Sequence, residues 1–228
     1  MKPPDYPDNN EPDLTQDRTY FVGIAGNIGV GKTTLTDIIA ERFNWKPFYE
    51  SVIDNPYLND FYADMKRWSF NLQIYFLSKR FETHKRMTEG DFSAVQDRTI
   101  YEDVEIFAYN LHEMGNMSTR DYNNYRDLFR IMTSYLEKPD LIIYLKASTD
   151  TLISRIRKRG REFEKRISPE YLHQLNVAYE RWIKRAQDSI NIHIVDADNF
   201  NVFEETEKVE HLLGVVRKHC PSAGNPQK

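Results

Sequence analysis

Tyr20-Phe21-Val22-Gly23-Ile24-Ala25-Gly26-Asn27-Ile28-Gly29-Val30-Gly31-Lys32-Thr33-Thr34 is the stretch whose reading decides the fold. From Gly26 it fits the phosphate-loop pattern G-x-x-x-x-G-K-[ST], set between an apolar strand-like run (20–25) and a helix-forming run, Thr33 to Phe43. In that setting the backbone N–H groups of Asn27, Ile28, Gly29 and Val30 face inward as an anion nest. The following helix offers its N-terminus to the same phosphates. Gly26, Gly29 and Gly31 allow backbone geometry that a side chain would obstruct. Lys32 supplies a point charge near the β- and γ-phosphates, Thr33 a hydroxyl for Mg²⁺, and Thr34 completes the motif. The expected ligand is a nucleoside triphosphate.

Outside the loop, 228 residues with 40% hydrophobic and 13% aromatic content can fill the core of one α/β domain, read here as residues 20–218. The 29% of charged residues and the mean hydropathy of −0.68 describe a soluble surface, and no stretch suits a membrane span. Residues 1–19, rich in Pro, Asp and Asn, read as a flexible tail rather than a signal peptide, and residues 219–228 as a second tail. A net charge of −4 argues against polymeric nucleic acid as a partner. Cys220 is the single cysteine, so the chain has no internal disulfide, and the expected compartment is reducing cytosol.

Strand-like and helix-like runs alternate along the chain. Lys46 to Tyr49 reads as a short strand ending at Glu50, residues 57–64 as a short helix, and Lys66 to Glu89 as a long one with Phe70, Ile74, Leu77 and Phe81 along its apolar stripe. A strand at 92–96 ends at Asp97-Arg98. The next helix carries Ile100, Val104, Phe107 and Leu111 on one stripe and closes at Gly115. Residues 121–137 read as helix, 141–145 as a strand buried on both faces, and a helix from Thr149 leads to an arginine-rich turn at 157–166. Ser168-Pro169 opens another helix, 190–195 is the fifth strand and 202–218 the last helix. This order predicts a five-stranded parallel sheet with helices on both faces, whose ligands bind beyond the carboxyl ends of the strands. The phosphate loop, Glu50 and Asp97-Arg98 then converge on one edge.

Those companions narrow the chemistry. Neither the Asn-Lys-x-Asp nor the Asp-x-x-Gly string of a regulatory GTPase occurs. Arg155, Arg157, Arg159, Arg161 and Arg166 are either a solvated charge run or a lid whose guanidinium groups close over the triphosphate and exclude water. Glu50 can accept a proton from an attacking hydroxyl but would repel an acceptor already carrying a phosphate, which favours a neutral alcohol. Asp103 falls on the apolar stripe of its helix. Arg80 shares a helix face with Gln73 seven residues earlier, so the three suggest a buried pair beside a ligand pocket, or a purely structural bridge.

The phosphate loop, Glu50, Tyr62 eleven residues before Gln73, Trp68, Asp97-Arg98-Thr99 and Arg159-Gly160-Arg161-Glu162-Phe163-Glu164 resemble, in order and spacing, the deoxycytidine, deoxyguanosine and deoxyadenosine kinase family, and in particular its bacterial purine-preferring branch. The resemblance covers residues 20–215 and implies the P-loop kinase fold with an arginine-rich lid. It also implies a cytoplasmic homodimer, packed through the helices that begin near Lys66 and Asp121, that uses ATP and Mg²⁺ to phosphorylate the 5′-hydroxyl of a deoxynucleoside in salvage. By that resemblance Glu50 is the base, Arg98 holds it, and Asp97 assists the Mg²⁺ at Thr33. Tyr62 and Glu164 bind the sugar 3′-hydroxyl, Gln73, Arg80 and Asp103 read the base, and Phe107 stacks on it. Arg155, Arg159 and Arg161 are the lid arginines, and Asp196, Asp198 and Asn199 lie near the ATP base. Asn55-Pro56-Tyr57-Leu58 departs from the longer tryptophan-bearing loop of many animal members; deoxyadenosine is favoured, with deoxyguanosine and deoxycytidine open. A thymidylate-type monophosphate kinase and a non-catalytic nucleotide-binding module are the competing readings.

Overall fold

Residues Phe21 to Gly26 are all buried, the pattern of a strand covered on both faces, and they form the central strand β1 (Phe21–Gly26). In the computed structural model, which describes residues 18–50, 55–200 and 205–221, β1 is joined by β2 (Lys46–Phe48), β3 (Ala94–Asp97), β4 (Leu141–Lys146) and β5 (Ile192–Asp196). The sheet order is β2-β3-β1-β4-β5 and every pair is parallel. The register sets Ile24 beside Asp97 and Gly26 beside Leu145, so the loops after β1 and β3 leave the sheet side by side. That is the edge where the chain reverses direction across the sheet and where ligands bind.

Each face of the sheet has its own helical layer. On one face Val22, Ile24 and Ile143 pack against Leu35 and Ile39 of α1 (Lys32–Phe43), Leu152 of α7 (Thr149–Arg159) and Leu213 of α9 (Thr206–His219). On the other, Ala25, Ile142 and Tyr144 meet Leu77 of α3 (Met65–Thr88), Leu111 of α5 (Tyr109–Glu113) and Leu175 of α8 (Pro169–Ala186). The remaining helices are α2 (Leu58–Ala63), α4 (Ile100–Glu102) and α6 (Thr119–Thr133). Ser118, Ser148 and Ser168 cap α6, α7 and α8 with hydroxyls that accept from the third residue on, and Pro169 takes the first position of α8. Each such cap is worth about 1 kcal/mol.

Sequence periodicity misplaces four features. Of the expected stripe Phe70, Ile74, Leu77 and Phe81 only Leu77 is fully buried and the others are half-buried; the fully buried residues of α3 are Ser69, Leu72, Gln73, Leu77, Arg80, His84 and Met87. A cavity accepts polar side chains that a dry core would reject, so apolar spacing misses part of that side. The helix expected to run unbroken from Ile100 to Gly115 instead passes from α4 into a π-helical stretch, Asp103–Ala108, and on into α5. Third, α6 ends at Thr133, not near residue 137. Finally, the arginine-rich segment is not one turn: Arg157 and Arg159 complete α7, Gly160 ends it at φ 72°, and a 3₁₀ turn follows over Glu162–Arg166. The tail residues 1–17 and 222–228, Ser51 and the expected helix start at 202 lie outside the described residues.

Candidate active site

The loop after β1 is shaped by positions where a side chain would fail. Gly26 has φ 147°, and a Cβ on it would lie 2.7 Å from the Leu145 carbonyl oxygen; Gly29 has φ 83° and a Cβ there would lie 2.6 Å from Cγ1 of Ile156 in α7. The close approach at Gly29 seats the lid helix on the phosphate loop. Gly31 begins α1 at φ 109° with no side chain capping the helix, so its first N–H groups are free for an anion. The Asn27 carboxamide ties the loop to α8, donating to the Leu172 carbonyl at 2.9 Å and to Asn176 Oδ1 at 2.8 Å. Lys32 is buried with its ammonium 3.2 Å from the Asn27 carbonyl, and burial followed by the nearby Arg98 charge lowers its pKa to about 8. A phosphate brought to this point supplies the negative charge that Lys32 lacks. Ile28, Val30 and Thr34 line the same cavity.

At the end of β3, Asp97 Oδ2 accepts from the Thr33 hydroxyl at 2.5 Å. The other oxygen, Oδ1, is buried with no hydrogen-bond partner among the described residues. A hydroxyl and a carboxylate with one oxygen to spare form a hard-oxygen donor set that fits Mg²⁺.

Arg98 follows in the left-handed region at φ 70°, a conformation that costs a residue with a Cβ about 1–3 kcal/mol and has to be held by its surroundings. Its Nε lies 3.1 Å from Glu50 Oε1, off the line of a hydrogen bond, and its guanidinium covers one face of Phe107 at 4.4 Å. Arg80 donates to the same Glu50 oxygen at 3.0 Å and to Asp103 Oδ2 at 2.6 Å. Burial pushes Glu50 up, but Arg98, Arg80 and Lys32 outweigh it and hold the carboxyl at about 2. For Asp103 burial prevails over Arg80 and raises the carboxyl to about 6, still ionised at neutral pH.

Glu50, Tyr62, Gln73, Arg80, Arg98, Asp103, Phe107 and Glu164 share one cavity of about 1200 Å³ with the phosphate loop. Gln73 is buried in its wall, and its Oε1 has no partner among the described residues. Tyr62 stacks on Phe163 of the lid with ring centroids 6.4 Å apart. Burial raises its phenol well above the ordinary range, so it stays a neutral hydrogen-bonding group. Glu164 is buried and grips Arg159 at 2.6 and 2.7 Å, with Arg161 at 3.4 Å.

Three expected ligand groups make hydrogen bonds within the protein, and two of them, Arg155 and Asp198, also line the cavity. Arg155 donates to the Val30 carbonyl at 2.8 Å and the Ala197 carbonyl at 2.7 Å, bracing the phosphate loop against the segment after β5. Asp196 shapes that segment by accepting from Asp198 N at 3.0 Å, and Asp198 accepts from Ser148 N at 2.9 Å at the start of α7. Of these two aspartates only Asp198 lines the cavity, with Asn199 beside it.

Two groups at the junction escape the sequence reading. Glu102 is fully buried: Oε2 accepts from Thr99 N at 2.7 Å, and Oε1 from Gly26 N at 3.2 Å and the Tyr179 hydroxyl at 2.7 Å. The hydroxyl of Tyr179 in α8 accepts from Arg98 at 2.8 Å. Thr99-x-x-Glu102 is a capping box, a signal that could have found Glu102. No signal in the chain points to Tyr179.

Comparison with known proteins agrees with this geometry. Residues 22–221 match the family described as deoxynucleoside kinase. The chain is 42% identical over 203 residues to a deoxyadenosine/deoxycytidine kinase of Bacillus subtilis, spanning 87% of this chain and 94% of the relative. It is 40% identical over 192 residues to a deoxyadenosine kinase of Dictyostelium discoideum, spanning 84% and 77%. A solved structure of deoxyadenosine kinase from M. mycoides, with the products dCMP and a flexible dCDP bound, superposes with a TM-score of 0.79 at 33% identity over 87% of this chain and 99% of the other.

Proposed function

The chain belongs to the deoxynucleoside kinase family, and from that premise we propose that it transfers the γ-phosphoryl group of ATP, with Mg²⁺, to the 5′-hydroxyl of deoxyadenosine in preference to other deoxynucleosides. The observation that carries the reading is Glu50. Its Oε1 is taken by Arg98 and Arg80, and among the described residues Oε2 has no hydrogen-bond partner, which leaves it for an acceptor. A carboxylate held at about 2 is ionised throughout the working range, so it accepts the hydrogen bond of a neutral hydroxyl and repels a phosphate. So weak a base does not strip the proton before attack; it orients the oxygen and takes the proton as the bond to phosphorus forms, in keeping with a loose phosphoryl-transfer transition state.

The lysine and the helix N-terminus after the loop hold the donor phosphates, and Arg98, Arg159 and Arg161 meet the charge that develops on the transferred group. Thr33 and Asp97 would hold Mg²⁺, which supplies charge neutralisation between the β- and γ-phosphates. Gln73, Arg80 and Asp103 face the nucleobase, and Tyr62 with Glu164 the sugar. Deoxyadenosine is favoured because the three proteins described above are all named for it, one of them also for deoxycytidine.

Leu128, Ile131 and the 79%-exposed Tyr135 lie along or just past α6, which packs against α3. That face supports a homodimer through α3 and α6. Among the described residues no helix is long and apolar enough to cross a membrane, and a buried free Cys220 suits reducing cytosol.

An ADP-release assay with the four common deoxynucleosides and with thymidylate tests the reading, with deoxyadenosine expected to give the highest kcat/KM. Turnover of thymidylate alone would overturn it.

A further inference from the structure

Arg98 reaches Glu50 from a strained backbone, so something other than Glu50 must fix where its guanidinium points. Its backbone is tied by Arg98 N donating to the Ile24 carbonyl at 3.0 Å. Its far end is tied to a cluster that does not face the cavity. Nη1 donates to the Tyr179 hydroxyl at 2.8 Å and lies 3.6 Å from Glu102 Oε1. The same two side chains hold the first residue of the phosphate loop. Gly26 N donates to Glu102 Oε1 at 3.2 Å, and the Tyr179 hydroxyl is 2.8 Å from the Gly26 carbonyl oxygen.

We propose that Glu102 and Tyr179 are a positioning pair that locks the guanidinium of Arg98 to the Gly26 peptide, so that acceptor-side and donor-side groups are set in one frame before either substrate arrives. The inference rests on the kinase reading above and concerns residues that reading does not use.

Three features favour this over an incidental buried bridge. Glu102 is completely buried, and each carboxylate oxygen is engaged by donors from the phosphate loop, the β3–α4 turn or α8. A buried carboxylate with so many partners is rigid, because moving it would strand donors without acceptors. The Tyr179 ring is wedged against Tyr144 of β4, centroids 5.5 Å apart, and Trp182 at 6.3 Å, so its hydroxyl is placed by the core and not by a loop. Finally, the three anchored groups, Gly26, Arg98 and Thr99, come from two strand ends whose relative position governs the distance between donor phosphorus and acceptor oxygen. A misplacement of about 1 Å there is enough to cost on the order of 100-fold in rate.

Tyr179→Phe keeps the ring and removes the hydroxyl, making it the clean test. In the full-length protein, with the unmutated chain first shown to phosphorylate a deoxynucleoside, we expect kcat to fall about 10- to 100-fold while KM for ATP and for the nucleoside each stay within about threefold. In an Arg98→Ala background the same change should cause no further fall, because the hydroxyl acts through Arg98. Glu102→Gln, which keeps shape but weakens the hold on Gly26, should lower kcat in the same way. A Tyr179→Phe protein with normal kcat, or one whose loss multiplies with that of Arg98→Ala, overturns the proposal. If Glu102→Gln fails to fold, the Tyr179 results decide alone. An unmutated chain with no deoxynucleoside kinase activity would refute the earlier reading instead.

Discussion

Replacing Glu50 by Gln keeps the shape of the side chain and one acceptor oxygen but removes the charge on which Arg98 and Arg80 converge. Holding the carboxyl at about 2 rather than its ordinary 4.5 corresponds to about 3 kcal/mol of interaction favouring the ionised form. Those guanidiniums keep other partners, Asp103 for Arg80 and Tyr179 with Glu102 for Arg98, so the variant should lose only about 1–3 kcal/mol of stability and remain folded. Turnover should suffer more, because the amide cannot take the hydroxyl proton: kcat is expected to fall on the order of 10²- to 10⁴-fold with nucleoside binding retained. The pH dependence adds a check. A pKa depressed on folding contributes stability that is present above the unfolded value near 4.5 and lost as pH falls through about 2. Above about pH 5, therefore, no acid limb in kcat/KM should be traceable to this residue in the free enzyme. The assay is ADP release under saturating ATP and deoxyadenosine, alongside a thermal melt. Normal kcat with a lowered melting temperature would refute the reasoning, since it would reduce Glu50 to a structural counter-ion.

Lys32→Ala should abolish transfer, and Arg98→Ala should lower kcat on the order of 10³-fold to a residual rate that single-turnover assays still read, both in a folded protein as circular dichroism would show; near-normal turnover in folded Lys32→Ala would contradict the site as drawn. If Tyr62 and Glu164 read the sugar 3′-hydroxyl as proposed, a 2′,3′-dideoxynucleoside should lose about 2–4 kcal/mol in transition-state binding, read as kcat/KM against the deoxy form. Equal values would remove the sugar-reading role. In Gly29→Ala the new methyl meets Ile156 at 2.6 Å on a residue with φ 83°, so the KM for ATP should rise at least about tenfold and the melt should fall; an unchanged KM would show that the lid helix does not depend on this close approach.

What could be read in the chain follows from how the information is stored. The phosphate loop lies in one unbroken segment, and alternation of strands and helices carries Glu50 and Asp97 to the same edge of a parallel sheet, so the donor half of the site is visible before any coordinates. Tyr179 lies 77 residues from Glu102, and the two meet only because α8 packs across the sheet; no local pattern encodes that. The buried side of α3 is missed in part for a different reason: Gln73 and Arg80 on it line the cavity, and periodicity follows apolar residues. Nor does a local pattern show that Arg155, which lines the cavity, also bonds the Val30 and Ala197 carbonyls, or that Asp196 accepts from Asp198 N.

Arg80 touches Asp103 on one side and Glu50 on the other. On the proposed roles, discrimination between nucleobases and the electrostatics of the proton acceptor would draw on a single guanidinium, and the two properties could not be tuned separately. Neutralising Asp103 to admit another base would turn the full charge of Arg80 toward Glu50 and make it a still weaker base. A laboratory search for altered base preference confined to Asp103 should accordingly recover slower enzymes, whereas one that leaves this triad intact and varies Gln73 has a route to new preference at undiminished speed.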